Sequence, residues 1–361
     1  MKKNIAHIIQ NLGKGGAETI LVAEVNELTE YNNIVITLFK GNAFPQFHPH
    51  KLICLNIKHY LITPFYFFRF RKILKQNNIS LVHSHLYWAT ILARFATPAH
   101  IPLVTTIHTY VSQSIEYKKK LMQWLEKFSY RFRPSIIMGD SIGVVNEYFE
   151  FFKLHPHKKI EAYSFVDPRV FAKRKEVFKT ATSAEKFTLI TVGRPTIQKN
   201  HAYLLDAFRM LKHDNFELHI YGMGDQYEDL KQQIEKENLP VVLKGAASNI
   251  QDIIPLYDLF TMSSLYEGFS VAVLEAMALK MPIMLSDIAS FREQGGEEVI
   301  YFDLNNPNDF VQKLKSIAAD KNKQKKMAEG VWKKVMDNFT LAHHMAALRI
   351  AYTSALTETN N

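Results

Sequence analysis

The chain has 361 residues, enough for two domains of ordinary size. At 47% hydrophobic and 22% charged it is not a disordered composition, and its single cysteine, Cys54, excludes an intrachain disulfide or a cysteine-ligated zinc cluster and points to a cytoplasmic setting. The net charge of +9 falls on one half: residues 1–165 hold 20 Lys and Arg against 10 Asp and Glu, residues 166–361 hold 24 against 25, so the first half suits an anionic substrate or membrane surface, and with no zinc-finger spacing or aromatic RNA-binding signature nucleic acid is set aside.

The first expected element is a strand over 4–10, whose apolar run is broken by Asn4 and His7 and does not read as a signal peptide. No run of about 18 apolar residues occurs, so no membrane-crossing helix is expected. Asn11-Leu12-Gly13-Lys14-Gly15-Gly16-Ala17-Glu18 is glycine-rich without being a GxGxxG or Walker motif. It reads either as a tight strand-to-helix turn or as a loop bringing backbone amides to an anion. A helix over 17–29 and strands over 33–39 and 52–57 follow.

The helix expected over 64–76 packs five aromatics (Phe65, Tyr66, Phe67, Phe68, Phe70) and four cations (Arg69, Arg71, Lys72, Lys75) into residues 64–75. Such a face either lies in a membrane interface or packs its rings on a sheet. Strands over 81–85 and 103–108 end in His83-Ser84-His85 and Thr106-Ile107-His108. His83 and His85 share a strand face, so a metal site is conceivable, but no Asp or Glu lies close in sequence and polar residues at a sheet edge are the plainer reading. His108 is the better candidate for touching a reacting sugar. A helix over 117–131 and a strand over 135–139 complete this half.

Residues 167–186 interrupt the alternation. Pro168, five Lys or Arg between Arg169 and Lys179, and the small polar run Thr180-Ala181-Thr182-Ser183-Ala184 read as a linker. Strands resume over 187–192, 216–221, 241–244, 259–263, 283–286 and 299–302, and 307–355 reads as helical. Alternation at this interval gives an α/β class with two doubly wound, mostly parallel sheets in tandem. Ligands bind such sheets at the carboxyl ends of the strands.

Two loops at such ends carry the chemistry. In Thr191-Val192-Gly193-Arg194-Pro195-Thr196-Ile197-Gln198-Lys199-Asn200, Arg194 and Lys199 can converge on one phosphate, or be two solvated cations. In Leu265-Tyr266-Glu267-Gly268-Phe269-Ser270-Val271-Ala272-Val273-Leu274-Glu275-Ala276-Met277-Ala278, Gly268 permits a close turn and Ser270 is a candidate N-cap. The free amides and dipole of the helix beginning near Val271 favour an anion such as phosphate. Glu275, one turn further on, can accept hydrogen bonds from two neighbouring sugar hydroxyls. The plain alternative is an amphipathic helix with two surface glutamates.

Together these motifs resemble glycosyltransferase family 4. Val192-Gly193-Arg194 with Lys199 is similar to its phosphate-binding loop, Glu267 and Glu275 to its E-x7-E signature, Gly15-Gly16-Ala17-Glu18 to its N-terminal glycine loop, and Thr106-Ile107-His108 to the position of its sugar-proximal histidine; Tyr221-Gly222-Met223-Gly224 and Lys244-Gly245 fall at the family's intervals. The resemblance implies the GT-B fold: two Rossmann-like domains with parallel sheets facing across a cleft. An acceptor-side domain would span 1–166, with a C-terminal helix at about 340–361 packing back on it, and a nucleotide-sugar domain 187–339. It implies a retaining, metal-independent glycosyltransferase of the hexosyl type with no cofactor, acting peripherally at the inner face of the membrane. The partners would be a nucleotide diphosphate sugar and a glycan or lipid-linked acceptor of surface polysaccharide biosynthesis. Arg194 and Lys199 would neutralise the leaving diphosphate, Glu267 would position the donor sugar, and His108 would touch it. Gly193, Gly245, Gly268, Phe269, Ser270, Val271 and Glu275 would bind the donor, and Gly15 and Gly16 the acceptor or diphosphate. No Asp-x-Asp motif is present to bring a metal. The sequence departs from the family at Ser164-Phe165-Val166-Asp167, often Asn-Gly-Val-Asp, and at Lys280, where glycine usually ends the signature helix. A non-glycine in a left-handed C-cap costs about 1 kcal/mol or less. The alternatives are a nucleotide-sugar epimerase or hydrolase on the same fold, which lacks placed acid–base residues, and a non-catalytic sugar-nucleotide or membrane-surface binding protein, which would leave the Arg194, Lys199, Glu267 and Glu275 set free to drift.

Overall fold

A computed structural model describes residues 2–13, 15–59, 65–171 and 186–358. Lys14, Pro64 and residues 172–185 of the expected linker lie outside the described residues. The chain divides into two units, Met1–Ser164 with Ala342–Asn361, and Phe165–Leu341.

In the first unit, short β-branched runs form β1 (Asn4–Ile9), β2 (Asn32–Thr37), β3 (Lys51–Cys54), β4 (Ile79–His85), β5 (Leu103–Ile107), β6 (Ile136–Gly139) and β7 (Lys158–Glu161). Between them lie α1 (Gly16–Glu27), α2 (Phe67–Gln76), α3 (Tyr87–Ala96), α4 (Lys120–Phe132) and α5 (Ile142–Phe152). All pairings are parallel, in the order β3-β2-β1-β4-β5-β6-β7. Alternation along β1 supplies both faces: Ala6 and Ile8 join the core that Leu74 of α2 and Leu92 of α3 complete, while Ile9 packs with Leu21 and Val25 of α1.

The second unit contains β8 (Phe187–Val192), α6 (His201–Met210), β9 (Phe216–Tyr221), α7 (Tyr227–Glu237), β10 (Val241–Gly245), α8 (Ile250–Ile253), β11 (Leu259–Met262), α9 (Val271–Ala278), β12 (Ile283–Ser286), α10 (Ala289–Gly295), β13 (Ile300–Phe302), α11 (Pro307–Ala318) and α12 (Lys321–Asn338). Its sheet is also wholly parallel, in the order β10-β9-β8-β11-β12-β13. The expected α/β class with two parallel Rossmann-like sheets is therefore the observed one. The last helix, α13 (Leu341–Glu358), docks on the first unit: Arg349 bonds Glu30 and Ser354 bonds Lys158.

One strand, β7, had no sequence expectation. It is an edge strand with a single buried residue, Ile160, so its apolar signal is small. Lys280 does take the left-handed conformation, with φ 53°, and its ammonium lies 4.9 Å from the centre of the Trp332 ring.

Candidate functional site

In the second unit the loop after β8 and the loop after β11 are tied together. Leu265 N–H donates to the Gln198 carbonyl (2.8 Å), and Ser263 Oγ donates to the carbonyls of Lys199 (3.0 Å) and Asn200 (2.9 Å). This brings Lys199 Nζ to Glu267 Oε1 at 2.6 Å, where Ser264 Oγ also donates at 2.6 Å. Gln198 Nε2 donates to the Tyr266 carbonyl at 3.0 Å. Glu267 is buried and Lys199 nearly so, which corrects the picture of Lys199 as a cation on a surface loop. Arg194, five residues earlier, is exposed and free to meet a ligand from solvent.

Glycines let these loops close. The Lys199 stem lies over Gly193, where an added Cβ would meet Lys199 Cε at 3.1 Å. Gly222 has φ +145°, and a Cβ there would stand 2.1 Å from the Gly193 carbonyl oxygen. A Cβ on Gly224 would stand 2.3 Å from that of Pro195, so Tyr221-Gly222-Met223-Gly224 is a packing requirement of the loop that carries Arg194. Gly222 N–H in turn donates to the Gly245 carbonyl at 2.8 Å, and Gly245 takes φ +70°.

Helix α9 starts at Val271 with Ser270 as its N-cap, but no side chain caps it. Ser270 Oγ turns to Met262 Sδ instead, and Gln294 fixes the Ser270 backbone at both N–H and C=O. The helix therefore keeps its first amides and its positive end available. Phe269 is buried with its ring against Phe339, at 5.0 Å between centroids, so its side chain serves packing. Gly268 is partly exposed, between Glu267 and Phe269. Glu275 sits half-buried on the second turn, and burial pushes its carboxyl up to about 7.

In the first unit the histidines are not at a sheet edge, contrary to the plainer expectation. They stand on central strands, wholly buried, and the missing carboxylate comes from α1. His7, Glu24, His83 and His85 each bring a ligand-type atom within 4.8 Å of the others. Both nitrogens of His83 are taken, by Tyr352 OH (2.8 Å) and Thr106 Oγ1 (2.7 Å). His7 Nδ1, Glu24 Oε2 and His85 Nε2 are buried without a hydrogen-bond partner. From this core a chain of contacts runs outward: His85 Nδ1 to His108 Nε2 at 3.2 Å, His108 Nδ1 to Asp140 Oδ2 at 3.2 Å, and Glu24 Oε1 to His344 Nε2 at 2.9 Å.

Burial holds His7, His83 and His85 below their usual value. Burial also opposes charging of His108, but the charge and hydrogen bond of Asp140 outweigh it and hold this imidazole above its usual value. His108 also lines a cavity of about 100 Å³ with Tyr87, Thr90 and Tyr117. Leu86, immediately after His85, takes φ 65° and ψ 159°, a conformation that costs of order 1–3 kcal/mol and turns the chain sharply into α3. Gly15 caps α1 in an extended conformation, and a Cβ there would meet Glu18 Oε2 at 2.3 Å, whereas one on Gly16 would meet nothing within 4 Å. Sequence reasoning missed Glu24, Asp140, His344, Gln198, Ser264 and Gln294.

Two family models cover most of the chain. Residues 14–156 match Glycosyltransferase Family 4, and residues 172–333 match Glycosyl transferases group 1. The chain belongs to glycosyltransferase family 4. It is 25% identical over 345 residues to the N-acetylgalactosamine-N,N'-diacetylbacillosaminyl-diphospho-undecaprenol 4-alpha-N-acetylgalactosaminyltransferase of Campylobacter jejuni, covering 89% of this chain and 93% of that one. It is 28% identical over 364 residues to the O-antigen biosynthesis glycosyltransferase WbnH of Escherichia coli, covering 94% and 98%. Among solved structures, Anabaena Alr3699/HepE in complex with UDP and glucose superposes with a TM-score of 0.83 at 16% identity, covering 98% of this chain and all of that one. That likeness concerns the fold.

Proposed function

We propose that this glycosyltransferase moves a hexosyl unit, with retention, from a nucleoside diphosphate sugar to a glycan carried on a lipid diphosphate in surface polysaccharide assembly. The observation that carries the reading is the second-unit constellation: a Lys199–Glu267 pair at 2.6 Å, an exposed Arg194, and the uncapped start of α9. Cations and helix amides suit a diphosphate that gains charge as the glycosidic bond breaks. Arg194 offers a planar fork for two phosphate oxygens. Lys199, oriented by Glu267, offers a fixed point charge. Glu275 suits the ribose hydroxyls and the Glu267 loop suits the donor sugar. His108, hydrogen-bonded through Nδ1 to Asp140 Oδ2, suits contact with a transferred sugar.

In this reading the acceptor hydroxyl attacks the face that the leaving group departs from, the anomeric carbon–oxygen bond to phosphate breaks, and the hydroxyl proton passes to the leaving phosphate. No separate base and no metal take part. The relatives named for diphospho-undecaprenol and O-antigen chemistry support the lipid-linked acceptor, and the UDP-bound neighbour supports a uridine donor. A panel of UDP-, GDP- and ADP-sugars, read as released nucleoside diphosphate with and without a diphospholipid-linked glycan, tests it. Acceptor-stimulated release from a UDP-sugar is expected; release from no donor, or release without any transfer to acceptor, overturns it.

A further inference from the structure

The expected aromatic–cationic helix is α2, but α4 exposes more large apolar side chains, and it also buries a charged pair beneath it. Its inner face is mixed: Tyr130, Met122 and Leu125 pack on the core, and beside them Glu126 and Ser129 point inward, where Arg94 Nη1 meets Glu126 Oε1 at 2.5 Å and Ser129 Oγ at 3.1 Å. Its outer face is apolar: Leu121, Trp124, Phe128 and Phe132 are 65%, 59%, 45% and 62% exposed. The spacing of these four puts them on one side of the helix. Trp124 and Phe128 stack at 5.2 Å with 7° between planes, so the stripe is ordered as one surface.

This stripe continues onto α2. Phe95 of α3 contacts Phe128 and Phe132 on one side and stacks on Phe67 on the other. From there Phe65 and Phe68 project, 81% and 82% exposed, while Phe70 is buried in the core. The rings of α2 thus divide between packing and solvent. Its cations divide too: Arg69 and Arg71 bond the carbonyls of Leu55 and Ala96, and Lys72 and Lys75 are exposed. Around α4 lie exposed Lys118, Lys119, Lys120 and Arg131. The one carboxylate within α4 is Glu126, which is turned inward and spent on Arg94.

We propose that the α4 stripe, joined by Phe65 and Phe68, seats the first unit on an anionic bilayer. Aromatic side chains at the headgroup level with a surrounding of cations and no exposed carboxylate on the helix match an anionic lipid surface, and an acidic protein partner would not call for six exposed apolar or aromatic side chains on one face. No described helix is long and apolar enough to cross a membrane, so the contact is interfacial. The proposal rests on the lipid-linked acceptor above for its purpose, though its test needs no acceptor.

The test is co-sedimentation of the full chain with vesicles of phosphatidylcholine alone or with phosphatidylglycerol, in low and high salt. Trp124→Ser/Phe128→Ser/Phe132→Ser is expected to weaken binding to anionic vesicles at least tenfold while its thermal melt and its acceptor-free nucleoside diphosphate release stay unchanged. Phe65→Ser/Phe68→Ser is expected to weaken it less. In Trp88→Phe/Trp332→Phe protein, bromine-labelled lipid should quench the remaining Trp124. Binding that is indifferent to the triple change or to lipid charge overturns the proposal. So does a mass twice that of the monomer with Trp124 shielded in the absence of lipid, which would make the stripe a self-association face. Failure of nucleoside diphosphate release with intact vesicle binding would strike the transfer reading alone.

Discussion

Each unit winds a parallel sheet in the same order of its own strands, yet the two put their polar residues in opposite places. The first unit sinks them. His7, His83 and His85 lie on central strands with no solvent contact, Glu24 reaches them from α1, and Arg94 pairs with Glu126 beneath α4. The second unit fills the middle of its sheet mainly with apolar side chains, Leu189, Ile190, Leu218 and Leu259 fully buried beside Thr261, and carries Arg194, Lys199 and Glu267 on loops at the carboxyl ends. One topology therefore serves two designs. A buried network rigidifies a single projecting group, His108, whereas loop-borne groups stay available to a charged ligand.

The largest expected contrast lies within the second unit. Arg194→Ala and Lys199→Ala should each lower turnover 30- to 1000-fold, about 2–4 kcal/mol of transition-state stabilisation. They should separate in stability. Arg194 is exposed, so its removal leaves the melt unchanged. Lys199→Ala strands the buried Glu267 carboxylate and should cost about 1–3 kcal/mol of folding as well. Product formation beside a thermal melt reads both. Unchanged turnover in both variants would end the phosphate role, and equal melts would end the argument from the ion pair.

The first unit should betray its buried histidines in acid. His7, His83 and His85 have folded values below the ordinary 6.5, so the unfolded chain binds protons that the folded chain rejects. Their contribution is fully present above the unfolded value and is lost as pH falls beneath it, at up to about 1.4 kcal/mol per histidine per pH unit. His108 and His344 have raised values, so their contribution is intact in acid and fades as pH rises through those values. Urea unfolding of Trp332→Phe protein reports Trp88 and Trp124 of the first unit. Its stability should drop steeply from pH 6.5 to 5.5. A flat acid limb would mean the histidines are hydrated in the folded state.

How far this contrast could be read from the sequence differs between the units. The second unit's loops were legible because Arg194, Lys199, Glu267 and Glu275 sit in short contiguous motifs at strand ends. The first unit's network was not, because Glu24 precedes His83 by 59 positions and no motif joins them. A signal existed. In α1 the buried face is Ala17, Ile20, Leu21, Glu24 and Val25, so a glutamate occupies a core position of the helical stripe. Glu126 in α4 carries the same mark, and read that way the helix's apolar side must face out. The exposure of Phe65 and Phe68 beside the buried Phe70 follows from which side of α2 meets the sheet, which composition alone does not fix.

A smaller effect is expected at Glu275. With its carboxyl pushed up to about 7 by burial, it is part-protonated at neutral pH and becomes the better double acceptor for ribose hydroxyls as pH rises. The donor KM should therefore fall about three- to tenfold between pH 6 and 8, and Glu275→Gln should flatten that dependence while raising KM throughout. A pH dependence that survives Glu275→Gln would place the titrating group elsewhere.

The smallest expected effect is none at all. In the proposed mechanism Arg194, Lys199 and the start of α9 meet the leaving-group charge, so turnover should survive EDTA. The question has force because His7 Nδ1, Glu24 Oε2 and His85 Nε2 converge without partners. A tetrahedral zinc ion with bonds of about 2.0–2.2 Å holds its ligand atoms about 3.3–3.6 Å apart. His85 Nε2 and Glu24 Oε2 stand 3.9 Å apart, wider than that ion asks and within the span of one buried water bonded to both. Metal analysis of purified protein should therefore find no stoichiometric transition metal, and dialysis against EDTA should change neither turnover nor the acid limb of stability. If activity vanished and Zn²⁺ or Mn²⁺ restored it, these three atoms would be the ligands to mutate first, and the first unit's buried network would have to be counted as a metal centre that orients His108.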